Sequence, residues 1–205
     1  MRIPRTAQQG QSGFTIIELL LATLIFSSVL LLVTVGIMQI TRVYYKGVTE
    51  SNTQNVARSI VDSISQAIQF DGGIVTVAAG ATPKYQCINS QQFVFWPGKQ
   101  LVDGIPSGNQ TNQSLVQRTV AGCAVPGGAV TGRELLTPNM RLSDFSIAPV
   151  AGSSNLFRVH VKVVYGDDDL LNNPTATTAN CKNIRSGTQF CAVTDLTATV
   201  QKRVK

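Results

Sequence analysis

The stretch that decides the fold reads GFTIIE at residues 13–18 and continues as LLLATLIFSSVLLLVTVGIMQIT at residues 19–41. The second part has no charged residue over its 23 positions. As an α-helix it would be about 35 Å long, which is enough to cross the roughly 30 Å hydrocarbon core of a bilayer. We therefore predict a transmembrane helix near the N-terminus.

The flanking charges predict how this helix is oriented. Arg2 and Arg5 precede it, and Arg42 is the next basic residue. The positive-inside rule then places the leader, residues 1–13, in the cytoplasm and the chain after Arg42 on the other side of the membrane. A secretory signal would have its small-residue cleavage site after a shorter apolar core, whereas here Gly13 stands before the apolar run.

Two residues at the start of the run suggest processing and assembly. Gly13 has no Cβ, so its backbone can lie extended in a protease cleft. Glu18 places a carboxylate at the edge of a spanning helix, where a charge is costly and usually functional. A cut after Gly13 would give Phe14 a free amino group one helical turn before Glu18, so the two charges could pair within one chain or between neighbours. The alternative is that Glu18 merely suits the helix dipole.

The basic leader, Gly13-Phe14-Thr15-Ile16-Ile17-Glu18 and the apolar run together resemble the processing site of type IV prepilins and type II secretion pseudopilins. The resemblance covers about the first 55 to 60 residues. It implies that a prepilin peptidase cuts between Gly13 and Phe14 and methylates Phe14, and that Glu18 serves assembly with other pilin subunits. It also implies an assembly platform and an ATPase as separate chains.

The helix is expected to continue beyond the membrane. Residues 42–70 contain no proline, and apolar residues recur at helical spacing at Val56, Ile60, Ile64 and Ala67-Ile68. This second, amphipathic half should pack on a domain through that stripe. Asp71-Gly72-Gly73 is expected to end the helix.

Residues 71–205 are predicted to form one β-rich globular domain, because short apolar runs alternate with Gly, Pro, Asn and Ser. In Leu156–Tyr165 the alternation puts Phe157, Val159, Val161 and Val163 on one face, which should cover the helix stripe. The segment from Gly98 to Gly132 is expected to be an irregular surface excursion. The other expected strands are Ile74–Ala78, Gln92–Trp96, Phe145–Ala148 and Leu196–Val204. The fold class is therefore α+β and pilin-like, with a long N-terminal helix on an antiparallel sheet.

Four cysteines lie beyond the apolar run, where an exported domain meets an oxidising compartment. Three pairings are possible, and loop closure favours Cys181 with Cys191, which leaves Cys87 with Cys123. No Cys-x-x-Cys motif occurs, so a zinc site is not expected.

Other candidate sites are interpreted as structural. Asp167-Asp168-Asp169 lacks EF-hand spacing and is expected to be a solvated turn rather than a calcium site. His160, the only histidine, should be an exposed strand residue. Trp96 and Phe95 could form an aromatic platform with Lys99, but strand-end core residues are the commoner arrangement. No enzyme activity, metal or cofactor is expected.

The net charge is +6, and it becomes +4 without Arg2 and Arg5. No run of three basic residues occurs, so the charge predicts no focused nucleic-acid patch. The expected function is a structural subunit of a type IV pilus-like filament, of the minor, tip or priming kind. The alternatives are a type II secretion pseudopilin, a pilin whose domain binds DNA or a surface, and a plain membrane-anchored domain that is not processed. The subunit would span the cytoplasmic membrane before entering an extracellular or periplasmic filament.

Overall fold

The computed structural model describes residues 13–71, 74–76, 83–102, 113–126, 130–183 and 187–203. Within these residues it has one long helix, α1, over Ile16–Asp71, followed by ten β-strands. The chain divides into two compact units, of which one ends at Arg42 and the other begins at Val43. The expected continuation of the helix beyond residue 42 is confirmed, and its last residue is Asp71, where the stop was expected.

The strands form three antiparallel sheets. The largest sheet has the order β1-β2-β3-β4-β5, the second has the order β10-β7-β6, and β8 pairs with β9. An isolated antiparallel bridge pairs Gln100, which lies outside the strands, with Arg141 at one edge of the second sheet. The strand bounds are β1 Ile74–Thr76, β2 Lys84–Ile88, β3 Gln91–Phe95, β4 Leu115–Thr119, β5 Arg133–Glu134, β6 Met140–Pro149, β7 Leu156–Tyr165, β8 Leu171–Asn172, β9 Asn180–Cys181 and β10 Ala192–Gln201.

The main core forms between the second half of α1 and the two larger sheets. Ile60, Ile64 and Ile68 are fully buried, and they belong to one cluster with Val159 and Val161 of β7. The apolar stripe of the helix and the apolar face of β7 therefore meet as predicted. Burying each such side chain contributes about 1.5–3 kcal/mol.

A second, smaller core lies on the other face of the five-stranded sheet. Tyr85, Cys87 and Val94 are buried there, and Trp96 packs against them. With apolar cover on both faces, β2 has four consecutive buried residues after Lys84. This strand was not predicted, because a strand that is buried on both faces shows no alternation.

One expectation about the domain is wrong. The segment from Gly98 to Gly132 is not wholly irregular, because it contains β4, which pairs along its full length with β3. The polar half of β4 is held by side-chain hydrogen bonds instead of apolar contacts. Arg118 Nε donates to Gln92 Oε1 at 2.6 Å, and Gln117 Nε2 donates to Gln91 Oε1 at 3.3 Å. Such pairs stabilise a strand without producing hydrophobic alternation.

The other predicted strands are confirmed with shifted bounds. The strand expected at Phe145–Ala148 is longer, and that at Leu196–Val204 begins earlier, at Ala192. Of the strand expected at Ile74–Ala78, β1 covers the first three residues, and the rest lies outside the described residues. Val204 and Gly72-Gly73 also lie outside them.

Two disulfides each link a strand of the domain to a residue outside the strands. Cys87 is bonded to Cys123 and Cys181 to Cys191, both with a Cα–Cα distance of 5.8 Å. This is the pairing predicted from loop closure. The first bond lies in the smaller core, and the second closes a ten-residue separation directly before β10.

Candidate processing and assembly site

The helix α1 begins at Ile16, directly after the sequence Gly13-Phe14-Thr15. Thr15 acts as the cap residue. Its carbonyl oxygen accepts hydrogen bonds from the Glu18 N–H at 3.1 Å and the Leu19 N–H at 3.2 Å, and its hydroxyl oxygen lies 3.4 Å from the Glu18 nitrogen. A threonine in this position satisfies donors that a helix start otherwise leaves unpaired. Gly13 and Phe14 therefore stand outside the regular helix.

Nothing within the described chain requires glycine at position 13. A Cβ added there would meet no atom within 4 Å. Phe14 is likewise exposed, at 78% of its surface. A requirement for glycine at this position therefore has to come from another molecule, as it would for a residue bound in a protease cleft.

Glu18 lies in the first turn of α1 and is exposed. In the described part of the chain no basic group forms an ion pair with its carboxylate. Its position near the positive end of the helix dipole is favourable. The carboxylate is thus available to a cation from outside the chain or to the amino group that cleavage would create.

The residues that follow Glu18 form an apolar surface all around the helix. The most apolar 18-residue window has a mean hydropathy of 2.6, and none of it is buried. Among the described residues, α1 is the one helix that is long and apolar enough to cross a membrane. An exposed apolar surface of this size needs a lipid or protein environment.

The few hydroxyl groups in this segment are satisfied within the helix itself. Each donates to a backbone carbonyl three or four residues earlier, for example Ser27 Oγ to Thr23 O at 2.7 Å and Thr34 Oγ1 to Leu30 O at 2.8 Å. Thr23, Ser28 and Thr41 do the same. These polar groups therefore do not oppose burial in lipid or among other helices.

His160 lies on the face of β7 opposite the core, as predicted, but it is not simply exposed. Its Nε2 lies 2.7 Å from Oδ1 of Asp195 on β10, and its Nδ1 lies 3.4 Å from Oδ2 of Asp144 on β6. The two carboxylates approach opposite nitrogens of the ring. The histidine thus links three strands, and the arrangement does not direct its two acids to one metal position.

Asp167, Asp168 and Asp169 are exposed, as expected of a solvated turn, but the first two side chains also make hydrogen bonds. Asp168 Oδ1 accepts a hydrogen bond from Arg141 Nη1 at 2.6 Å, and Asp167 Oδ1 accepts one from Gln100 Nε2 at 3.0 Å. Across the described ranges, no group of three or more His, Cys, Asp or Glu side chains is arranged to hold a metal ion.

Trp96 and Lys99 form a contact of their own. The Lys99 Nζ lies 5.3 Å from the centroid of the Trp96 ring, which is within cation–π range. Trp96 also packs against the smaller core, and Phe95 is buried in the main core. These contacts leave less of the two rings for a ligand than a free aromatic platform would.

Glu134 was not singled out from the sequence, yet its carboxylate is partly buried and hydrogen-bonded to the backbone. It accepts hydrogen bonds from the backbone N–H groups of Ser114 at 3.0 Å, Leu115 at 2.8 Å and Leu136 at 3.3 Å. Burial raises the pKa of Glu134, against the opposite effect of these donors. A single glutamate in a polar segment gives no signal for such a role.

Comparison with protein families gives one match. The family described as the prokaryotic N-terminal methylation motif matches residues 8–34, which include the capped helix start, Glu18 and most of the apolar run. No curated protein and no solved structure matches the chain significantly. The match covers the N-terminal part of the chain, which is similar there to proteins with this motif, and it supports a type IV pilin-like prepilin.

Proposed function

We propose that the protein is a structural subunit, of the minor, tip or priming kind, of a type IV pilus-like filament. The observation that carries the proposal is the Glu18 carboxylate, which has no ion-pair partner among the described residues. It lies at the start of an exposed, uncharged helical surface, five residues after the non-helical Gly13. A plain membrane anchor has no need of this combination.

Processing would occur between Gly13 and Phe14, by prepilin peptidase at the cytoplasmic side of the membrane. The cut gives Phe14 an ammonium group and removes the positive charges of Arg2 and Arg5. The subunit then resides in the membrane through residues 14–41, with its domain on the far side.

Assembly would transfer the apolar helix from lipid to a core of neighbouring helices. In that environment an unpaired carboxylate is expensive, so Glu18 of one subunit favours a position beside the Phe14 ammonium of another. The pair fixes the axial register of the helices, while the apolar surface supplies nondirectional attraction.

One feature supports a minor role. The apolar helix has no proline in its second half, where many major pilins resemble one another in having one.

A type II secretion pseudopilin is the second candidate, because its processing site has the same form. Many pseudopilins bind calcium, and Asp167-Asp168-Asp169 would be the place for it. Since Arg141 already pairs with Asp168, we expect calcium to leave the melting temperature of the domain unchanged. Stabilisation by calcium that Asp169→Asn abolishes would favour the pseudopilin.

The proposal is tested with Glu18→Gln, which removes one charge and keeps the side chain's size. The matched control is Asp62→Asn, an exposed acid on the second half of the same helix. Both variants should be cleaved and reach the membrane. We expect only Glu18→Gln to be missing from sheared filaments, and normal incorporation of that variant would contradict the proposed role of Glu18.

A further inference from the structure

The domain carries an exposed aromatic cluster beside the end of the predicted membrane span. Tyr44 and Tyr45 of α1 are 67% and 47% exposed, and Phe190 is 45% exposed. The ring centroids of Tyr44 and Tyr45 lie 6.0 Å apart, and those of Tyr45 and Phe190 lie 5.9 Å apart. We call these three residues the interfacial patch.

Phe190 reaches this patch from a distant part of the chain. It ends a short 3₁₀ turn, Thr188–Phe190, inside the loop that the Cys181–Cys191 disulfide closes. The loop is fastened to α1, because Lys46 Nζ donates a hydrogen bond to the carbonyl oxygen of Cys191 at 2.8 Å. The exposed phenyl ring is therefore held in position by a covalent closure and a charged hydrogen bond.

The charges around the patch suit an anionic surface. Lys46 stands beside Tyr45 in the sequence, and Arg42 comes directly after the uncharged span that ends at Thr41. One acid, Glu50, lies near and is 3.1 Å from Lys46 Nζ. Tyrosine and basic residues at the end of an apolar helix are typical of the layer where lipid headgroups meet water.

We propose that, before assembly, the interfacial patch lies in the headgroup layer of the membrane leaflet that faces away from the cytoplasm. Phe190 then forms a second contact between the domain and the lipid. This inference rests on the membrane anchoring in the proposed function. Tyr44 and Tyr45 follow Thr41, the last residue of the uncharged span, within four positions, so the headgroups that end the lipid around the span would be close to them in the chain.

The contact has a consequence for assembly. A domain held to the membrane at two places has fewer orientations than one held by the helix alone. When the subunit leaves the membrane, the contact between the patch and the lipid must therefore break before residues 43–48 can face another subunit.

The experiment measures tryptophan fluorescence of the chain without its leader, residues 14–205, in vesicles of phosphatidylcholine and phosphatidylglycerol. Trp96, the one tryptophan, is first replaced by phenylalanine. Single tryptophans are then introduced by Phe190→Trp, by Val125→Trp at an exposed domain site, and by Leu31→Trp within the span. Lipids brominated near the headgroup or deep in the acyl chain serve as quenchers.

We expect Phe190→Trp to lose much of its fluorescence with the shallow quencher, and Val125→Trp to lose little with either. The loss should persist when the protein is diluted with lipid. If deep bromines quench Leu31→Trp but neither quencher affects Phe190→Trp, this inference is overturned and the membrane anchoring is retained. If neither tryptophan is quenched, the membrane anchoring is overturned as well. The Phe190→Trp fluorescence could instead be blue-shifted, unaffected by brominated lipid, and lose its blue shift when the protein is diluted with lipid. This result would assign the patch to contact with a second copy of the chain and would also overturn the inference.

Discussion

Arg141, which is 1% exposed, places its Nη1 2.6 Å from Oδ1 of Asp168 and its Nη2 3.0 Å from the carbonyl oxygen of Gly166. The guanidinium of a buried strand residue thereby holds the turn that follows β7. Among the described residues its Nε has no hydrogen-bond partner, so the guanidinium is held there by these two contacts.

Asp168→Asn should destabilise the domain, because it leaves the buried Arg141 charge without its counterion. The carboxylate is largely exposed and solvent screens the pair, so we expect a loss of about 1–2 kcal/mol in the free energy of unfolding. Asp169→Asn, whose side chain makes no contact among those described, should change it by less than about 0.5 kcal/mol. Urea unfolding in detergent, followed by near-UV circular dichroism, measures both, and equal effects would contradict this role of Arg141.

Glu134 predicts a specific pH dependence of stability. Burial raises the pKa of this carboxyl in the folded protein, so between the ordinary value of 4.5 and the folded value the folded state binds more protons than the unfolded state. The stability contributed by Glu134 is therefore greatest at low pH and falls as the pH rises through that window.

The measurement is the difference in unfolding free energy between the wild type and Glu134→Gln, from about pH 4 to pH 7. The glutamine does not titrate, so effects of other groups cancel in the difference. We expect the unfolding free energy of the wild type to fall relative to that of Glu134→Gln as the pH rises. A difference that stays constant, or a wild type that becomes relatively more stable, would contradict the raised pKa.

Gly132 allows its segment to approach β4 closely. A Cβ there would lie 2.5 Å from the carbonyl oxygen of Gln117 and 2.6 Å from Cγ1 of Val116. Because the oxygen belongs to the backbone, Gly132→Ala should cost about 1–3 kcal/mol. Gly47→Ala on α1, where a Cβ meets nothing within 4 Å, should be neutral or stabilising by up to about 1 kcal/mol. Thermal unfolding distinguishes them, and a neutral Gly132→Ala would contradict the close packing.

The sequence predicted those parts of the fold that periodicity controls. The stripe with Ile60 and Ile64 and the alternation of β7 each have one buried face, so each showed its own period. Periodicity fails where both faces are covered, as in β2, and where side-chain hydrogen bonds replace apolar contacts, as between Arg118 and Gln92. Turn composition correctly suggested solvent at Asp168, but it could not reveal the hydrogen bond from Arg141, which lies 27 residues earlier in the chain.

The candidate processing site could be proposed from the sequence without tertiary structure, because it is contiguous. Gly13, Phe14 and Glu18 lie within six residues, so no tertiary contact is needed to bring them together. The interfacial patch, by contrast, depends on Phe190, which lies 145 residues after Tyr45 in the sequence. The folded domain brings the two rings together, and the hydrogen bond from Lys46 to Cys191 lies beside them.

Processing between Gly13 and Phe14 is tested most directly by the intact mass and N-terminal residue of the protein taken from its native membrane. We predict a chain that begins at Phe14 with a methylated amino group, and loss of that product when Gly13 is replaced by valine. A wild-type chain that still begins at Met1 would show that residues 1–13 are not a processed leader, and would contradict the assignment of a filament subunit.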